Sequence, residues 1–209
     1  MEGINEMAED RRVRKSKAAI KKAFIQLLED SQIERITIRQ ISDKADINRG
    51  TFYLNYDDKY ALLEEMEDEQ IADLKKLVDI RKVNLAQKTA EEFIEIFSNE
   101  VIKKVIIHIS ENIEFYHAIL NLDRTSKIEE RITDMILSNI NYLIGENNTV
   151  YGVPDDYYLR YVSGALMSMV KYWVHDENRV SIEELVQYIV TISTRGPLSI
   201  LKQLIDSKK

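Results

Sequence analysis

The sequence predicts an all-α protein. Three observations carry that expectation. Only six glycines and two prolines punctuate 209 residues; apolar residues recur at helical spacing; and Ser, Thr or Asn opens several of the periodic stretches. A many-turned sheet architecture would need more breakers. Helix by helix, the pattern gives a three-helix head over residues 11–57 and a larger helical body over 58–209, about nine helices in all.

Composition narrows the function classes. The chain has no cysteine, and the acidic segment Met1 to Asp10 lacks the apolar core of a secretory signal. No apolar run approaches the roughly 20 residues that cross a bilayer. The expectation is therefore a cytoplasmic protein without a membrane partner. His108, His117 and His175 have no ligand-spaced companions, and no H-E-x-x-H, Gly-rich phosphate loop or G-x-S-x-G occurs. Neither enzyme chemistry nor a metal or cofactor is expected. The net charge is −7, yet residues 11–56 hold eleven Lys or Arg against five acids, a local balance of +6, so the remainder sums to −13. A basic head on an acidic body suits a protein that meets a polyanion at one end.

The first helix spans about Arg11 to Glu29, with Ile20, Ala23, Phe24, Leu27 and Leu28 on one face. Its early turns carry Arg11, Arg12, Arg14, Lys15 and Lys17, placed to lie along a phosphate backbone. A second, short helix starts at Thr37, where Thr37-Ile38-Arg39-Gln40 has capping-box form, and stops near Ala45. Asn48 is a good N-cap for a third helix to about Asn55. Two short capped helices across a tight turn make a helix-turn-helix, whose second member usually enters the major groove. Asp57-Asp58 caps a fourth helix carrying Leu62, Leu63, Met66, Ile71, Leu74 and Val78. Further helices are expected over Thr89–Ile107, Asn112–Leu120, Lys127–Ile144, Asp155–His175 and Ser181–Lys208. Loops are expected at Asn121–Asp123, Gly145–Asn148, Gly152–Pro154 and Asp176–Asn178. Gly196-Pro197 should kink or split the helix that contains it, because proline lacks an amide donor and clashes with the preceding turn.

On the third helix Phe52 and Tyr56 lie four apart and share a face, so they can plug the head against Ile20, Phe24 and Ile41. The opposite arc presents Gly50, Thr51 and Tyr53, edged by Arg49 and Asn55. The stretch Ile36 to Leu63, ITIRQISDKADINRGTFYLNYDDKYALL, resembles the DNA-binding head of the tetracycline-repressor (TetR) family, above all in Thr51-Phe52-Tyr53, Tyr56, Asp58-Lys59 and Leu62-Leu63. The resemblance covers residues 13–63. It implies a transcription regulator binding double-stranded operator DNA, with Arg49, Thr51, Tyr53 and Asn55 at bases or phosphates around the Asn48 cap and Gly50. It also places Thr37 and Lys59 at phosphates, and Arg39 at a base or a phosphate. Asp46 stands where the family commonly has Gly in the turn, and Tyr56 where Phe is usual, so the Tyr56 hydroxyl needs a partner.

Beyond Leu63 the resemblance weakens. In the family the last two helices pair across a homodimer, which assigns Leu166, Met169, Val170, Trp173, Ile189 and Ile192 to the dimer interface. The family's switch is a small-molecule effector that releases a repressor from a palindromic operator. Phe93, Phe97, His108, Tyr116, His117 and Tyr142 are the candidate pocket residues. A co-activator or adaptor working through protein contacts of the body is the alternative.

Overall fold

The computed structural model describes residues 2–78, 88–120, 127–144 and 149–206. The chain is all-α, with eleven α-helical segments and one two-residue-per-strand hairpin among the described residues. The expected loops at Asn121–Asp123 and Gly145–Asn148, and the reach to Lys208, lie outside them.

Helix α1 is Glu2–Asp30, followed by a 3-10 turn at Ile33–Arg35, α2 (Ile38–Lys44), α3 (Arg49–Tyr53) and α4 (Lys59–Leu77). Then come α5 (Ala90–Ile96), a π-helical stretch Phe97–Ile102, α6 (Lys103–Glu111), α7 (Ile113–Leu120) and α8 (Lys127–Ile144). Strands β1 (Thr149–Val150) and β2 (Val153–Pro154) precede α9 (Asp155–His175), α10 (Ile182–Arg195) and α11 (Pro197–Asp206).

Local chemistry explains the starts. Capping boxes open α2 (Thr37/Gln40), α5 (Thr89/Glu92) and α10 (Ser181/Glu184), each satisfying two otherwise orphaned amides reciprocally. At α4 the Asp58 carboxylate accepts from the amides of Tyr60 and Ala61, both at 2.8 Å. Gly196 adopts φ 77°, which terminates α10, and Pro197 opens α11 where its missing amide is harmless. The split expected at Gly196-Pro197 is therefore present.

Two features were not expected. The stretch read as one helix over Thr89–Ile107 is interrupted by the π-helical turn, where Phe97 stacks on Phe93 with centroids 5.8 Å apart and planes 11° from parallel. The segment read as a loop around Gly152 is a hairpin: Tyr151 (φ 52°) and Gly152 (φ 80°) form its two-residue connection, and positive φ at both matches a type I′ turn.

The chain packs as two compact units. Met1–Ala72 joins Glu114–Glu130, and Asp73–Ile113 joins Arg131–Lys209. In the first, Ile20, Phe24, Ile33, Ile36, Ile41, Phe52, Leu62 and Leu63 are essentially inaccessible, as are Tyr116, Ile119 and Ile128. The second unit is cored by Ile106, Ile109, Leu159, Trp173, Val174, Leu185 and Ile189, among others. Three of the residues expected at the dimer interface are covered within the protomer. Val170, Trp173 and Ile189 are buried in the protomer's own core. The Trp173 indole donates to the Val180 carbonyl at 2.8 Å under the Arg179 guanidinium, so it anchors the α9–α10 turn. Leu166 and Met169 are half-buried, and Ile192 is exposed.

Candidate nucleic-acid interface

The helix-turn-helix is held from beneath by its rings. Phe52 is fully buried, with Tyr56 5.8 Å away and Tyr53 set edge-on to it at 5.7 Å. The next residues turn outward: Tyr53 is 57 % exposed and Leu54 87 %. A five-residue helix has almost no cooperative stability of its own. It persists because its buried ring is packed and its start is capped, with the Asn48 side chain accepting from the Thr51 amide at 2.7 Å and from the Thr51 hydroxyl at 3.1 Å.

Gly50 has a specific reason to lack a side chain. A Cβ there would sit 3.1 Å from the Asn48 Oδ1 that caps the helix, so alanine would press on the cap, a contribution of about 1 kcal/mol. In the turn Asp46 takes φ 54°, the left-handed conformation for which the family commonly uses Gly. We expect Asp46→Gly to fold normally and Asp46→Val to lose about 1–2 kcal/mol, since a β-branched residue is strained there. Thermal unfolding of the two variants checks this.

The candidate DNA residues all lie in the first unit, on α2, α3 and their flanks. Thr37, Arg39, Asn48, Arg49, Gly50 and Tyr53 are exposed, while Thr51, Asn55 and Lys59 are half-buried. Arg39 makes only an exposed 3.5 Å pair with Asp43. Asn48 and Asn55 spend side-chain groups on the helix itself, Asn55 by donating to the Thr51 carbonyl at 2.7 Å. Lys59 braces the 3-10 turn by donating to the carbonyls of Glu34 (2.9 Å) and Ile36 (2.8 Å). Two of its three N–H groups are thus engaged within the protein. Leu54 is the outward residue that sequence reading overlooked. It lies three and four positions after Thr51 and Gly50, so the same helical wheel that selected them points to it.

Lys17, grouped with the phosphate-facing cations of α1, is instead held in an ion network behind the recognition helix. Its ammonium lies 2.7 Å from Glu65 and 5.2 Å from the Tyr56 ring centroid. Lys21 reaches Glu65 (2.9 Å) and Glu69 (2.6 Å), and the Tyr56 hydroxyl donates to Glu65 at 2.8 Å. That bond supplies the partner the Tyr56 hydroxyl requires. Burial, then the Glu65 bond, pushes the Tyr56 phenol well above its ordinary value. Burial alone would raise Glu65, but hydrogen bonds from Lys17, Lys21 and Tyr56 outweigh it and hold the carboxyl at about 2, below 4.5.

A folded pKa below the unfolded one means stability that is fully present above pH 4.5 and is lost as pH falls toward 2. Glu65 is a third exposed, so the contribution is discounted for solvent screening to about 1–2 kcal/mol. Glu65→Gln should be destabilised by that amount at pH 7. The gap to wild type should close as denaturation is repeated between pH 4.5 and 2, and a gap that stays constant would refute the assignment.

The pocket candidates fall in both units. Tyr116 and His117 belong to the first unit, whereas Phe93, Phe97, His108 and Tyr142 belong to the second. Tyr116 is fully buried against Phe115, and Tyr142 is half exposed. His108 is buried, and burial lowers its pKa against the opposing pull of Asp73 and Glu111. A cavity of about 300 Å³ in the first unit is lined by other residues, including Asp57, Tyr60, Glu64, Glu67 and Lys127. Among the described residues no cluster of His, Asp or Glu is arranged to hold a metal, and no helix is long and apolar enough to cross a membrane.

A basic all-helical head whose short capped helix turns a tyrosine and an arginine outward defines a helix-turn-helix DNA-binding regulator. Residues 20–66 match the family described as bacterial regulatory proteins, tetR family, and residues 87–195 match transcriptional regulator C-terminal region. The chain belongs to the TetR family of transcriptional regulators. It is 22% identical over 182 residues to the HTH-type transcriptional regulator YxbF of Bacillus subtilis (strain 168), covering 83% of this chain and 43% of that protein. The chain thus spans less than half the length of that curated relative. Its fold is shared by a TetR transcriptional regulator of Streptococcus agalactiae 2603V, with TM-score 0.63 and 23% identity over 90% of this chain and 98% of that one. A TetR-family regulator of Syntrophomonas wolfei gives TM-score 0.65 and 17% identity, covering 90% and 96%.

Proposed function

We propose that this protein is a homodimeric repressor, acting in the cytoplasm, that leaves a palindromic operator when a small-molecule effector binds its body. Residues 11–57 serve DNA, and 58–209 serve the effector and the dimer. One observation carries the DNA reading: on a single short helix Phe52 is buried while Tyr53 and the C-cap residue Leu54 are exposed, as is Arg49 at its start. Arg49 is suited to read guanine O6 and N7, and Leu54 to meet a thymine methyl. Arg39, Thr37 and the remaining donor of Lys59 are placed for phosphates.

The dimer reading moves from the buried residues to the outer face of α9. Tyr157, Tyr161, Gly164, Ala165, Ser168 and Tyr172 recur at helical spacing and are all exposed. Two recognition helices held about 34 Å apart then enter successive major grooves. An effector that prefers a different head spacing weakens operator binding by its differential affinity, typically about 1–3 kcal/mol. Phe93, Phe97 and His108 are the pocket candidates this reading keeps.

The test is selection of duplex DNA from a random pool, followed by affinity measurement at two salt concentrations. Wild type should select a palindrome and bind it with a steep salt slope. Arg49→Ala should relax discrimination at one base position per half-site, by about 1–3 kcal/mol. Absence of any enriched sequence, with a flat salt response, would refute the reading.

A further inference from the structure

From Arg11 to Leu28 helix α1 carries seven cations and no acid. They divide by surroundings. Lys17 and Lys21 are half-buried against Glu65 and Glu69, whereas Arg11, Arg12, Arg14, Lys15 and Lys22 are exposed. Among the described residues no ion pair or side-chain hydrogen bond occupies Arg11, Arg12 or Lys15. Arg11, Lys15 and Lys22, at i, i+4 and i+11, lie on the face turned away from buried Ile20 and Phe24. Residues 11–15 also precede the stretch that matches the TetR family, which begins at residue 20.

The register of α1 against α4 shows which end of the head this basic turn occupies. Lys17 bonds Glu65 and Lys21 bonds Glu69, each pair 48 positions apart, so the two helices run side by side in the same direction. Both rise equally per residue, and the same offset puts Arg11 level with Lys59, the first residue of α4. The Lys59 ammonium touches the Glu34 and Ile36 carbonyls, next to the Thr37 cap of α2. The Lys17 ammonium lies 5.2 Å from the Tyr56 ring, which packs on Phe52 of α3. Along the helix Lys15 is about 3 Å and Arg11 about 9 Å before Lys17. Arg11, Arg12 and Lys15 therefore stand at the end of the head that carries Thr37, Lys59 and the recognition helix.

Four acids, Glu2, Glu6, Glu9 and Asp10, precede the cluster, so the favourable charge is confined to about one and a half turns. Exposed guanidinium and ammonium groups at that end complement a row of phosphates and carry no base information. We propose that Arg11, Arg12 and Lys15 of α1 bind DNA backbone phosphates beside the half-site read by α3. The assignment rests on the DNA reading above and adds a contact element outside the helix-turn-helix.

Arg11→Gln, Lys15→Gln and Lys22→Gln each remove one charge from the same exposed face of the full chain, and Gln keeps the helix propensity. Lys22, about 16 Å from Arg11 along the helix, is the control. Affinity for the selected operator and for a scrambled duplex of the same length is measured by anisotropy at several salt concentrations. Arg11→Gln and Lys15→Gln should each weaken both duplexes at least about fivefold near 0.1 M salt and lower the salt slope by about 2, one phosphate for each half-site. Base preference should stay as in wild type, and Lys22→Gln should change neither affinity nor slope. A second readout locates the contact. Neutral methylphosphonates placed one at a time along the operator should include positions at which wild type loses affinity and Lys15→Gln does not. A steep wild-type slope that Arg11→Gln and Lys15→Gln leave unaltered, or an equal loss in Lys22→Gln, would overturn the α1 assignment and leave the operator reading standing. A wild type that selects no sequence and shows a flat salt response would overturn both.

Discussion

Phe52→Ala should destabilise the DNA-binding head by about 3–5 kcal/mol, whereas Tyr53→Ala, one residue along, should stay within about 1 kcal/mol of wild type. The difference follows from where each ring sits. Phe52 is wholly inside, with the Tyr56 ring beside it, so truncation leaves a cavity that a five-residue helix cannot close. Tyr53 loses only an edge-on contact with Phe52. Operator binding should fall in both variants, but for separable reasons. In Phe52→Ala the loss should follow the unfolded fraction, and lowering the temperature or adding operator should restore binding by mass action. In Tyr53→Ala the protein should remain folded and lose discrimination at every temperature. Denaturant titration beside anisotropy with labelled operator separates them. A folded Tyr53→Ala protein that binds with wild-type affinity and preference would remove Tyr53 from the groove.

The same distinction explains how much of this molecule could be read from its sequence. Caps were legible because they are local: Thr37/Gln40 and Asn48 need only residues three apart. The buried face of α3 was legible because Phe52 and Tyr56 are spaced by four. What could not be read depended on residues distant in sequence. Lys17 looks like a phosphate ligand until α4 brings Glu65 to within 2.7 Å of it. Lys59 looks unoccupied until two carbonyls of the 3-10 turn reach its ammonium. Trp173 and Ile189 look like interface residues because burial in one's own core and burial in a dimer select the same side chains. The π-helical turn at Phe97 left no sequence signal we can identify. The hairpin at Tyr151-Gly152 left one, a glycine at the second turn position, although tyrosine at the first is unusual.

Gly164→Leu should raise the dimer dissociation constant at least about a hundredfold, equivalent to roughly 2.7 kcal/mol, without harming the protomer. Glycine inside a helix is normally a defect of about 1 kcal/mol relative to alanine, so its presence in the middle of α9 calls for a packing reason. The described residues supply none: among them a Cβ at Gly164 meets nothing within 4 Å. The position lies on the exposed stripe of Tyr157, Tyr161, Ala165, Ser168 and Tyr172, with small residues at its centre and tyrosines toward both ends. That profile fits a second helix crossing closest at Gly164 while the rings pack on either side. A leucine there should hold the two helices apart and yet strengthen α9 in the isolated chain. Helicity and protomer unfolding should be preserved or improved while sedimentation shows dissociation. Operator affinity should fall with it, because a single head retains little beyond phosphate contacts and one half-site. If Gly164→Leu dimerises as tightly as wild type, the outer face of α9 is not where two chains meet.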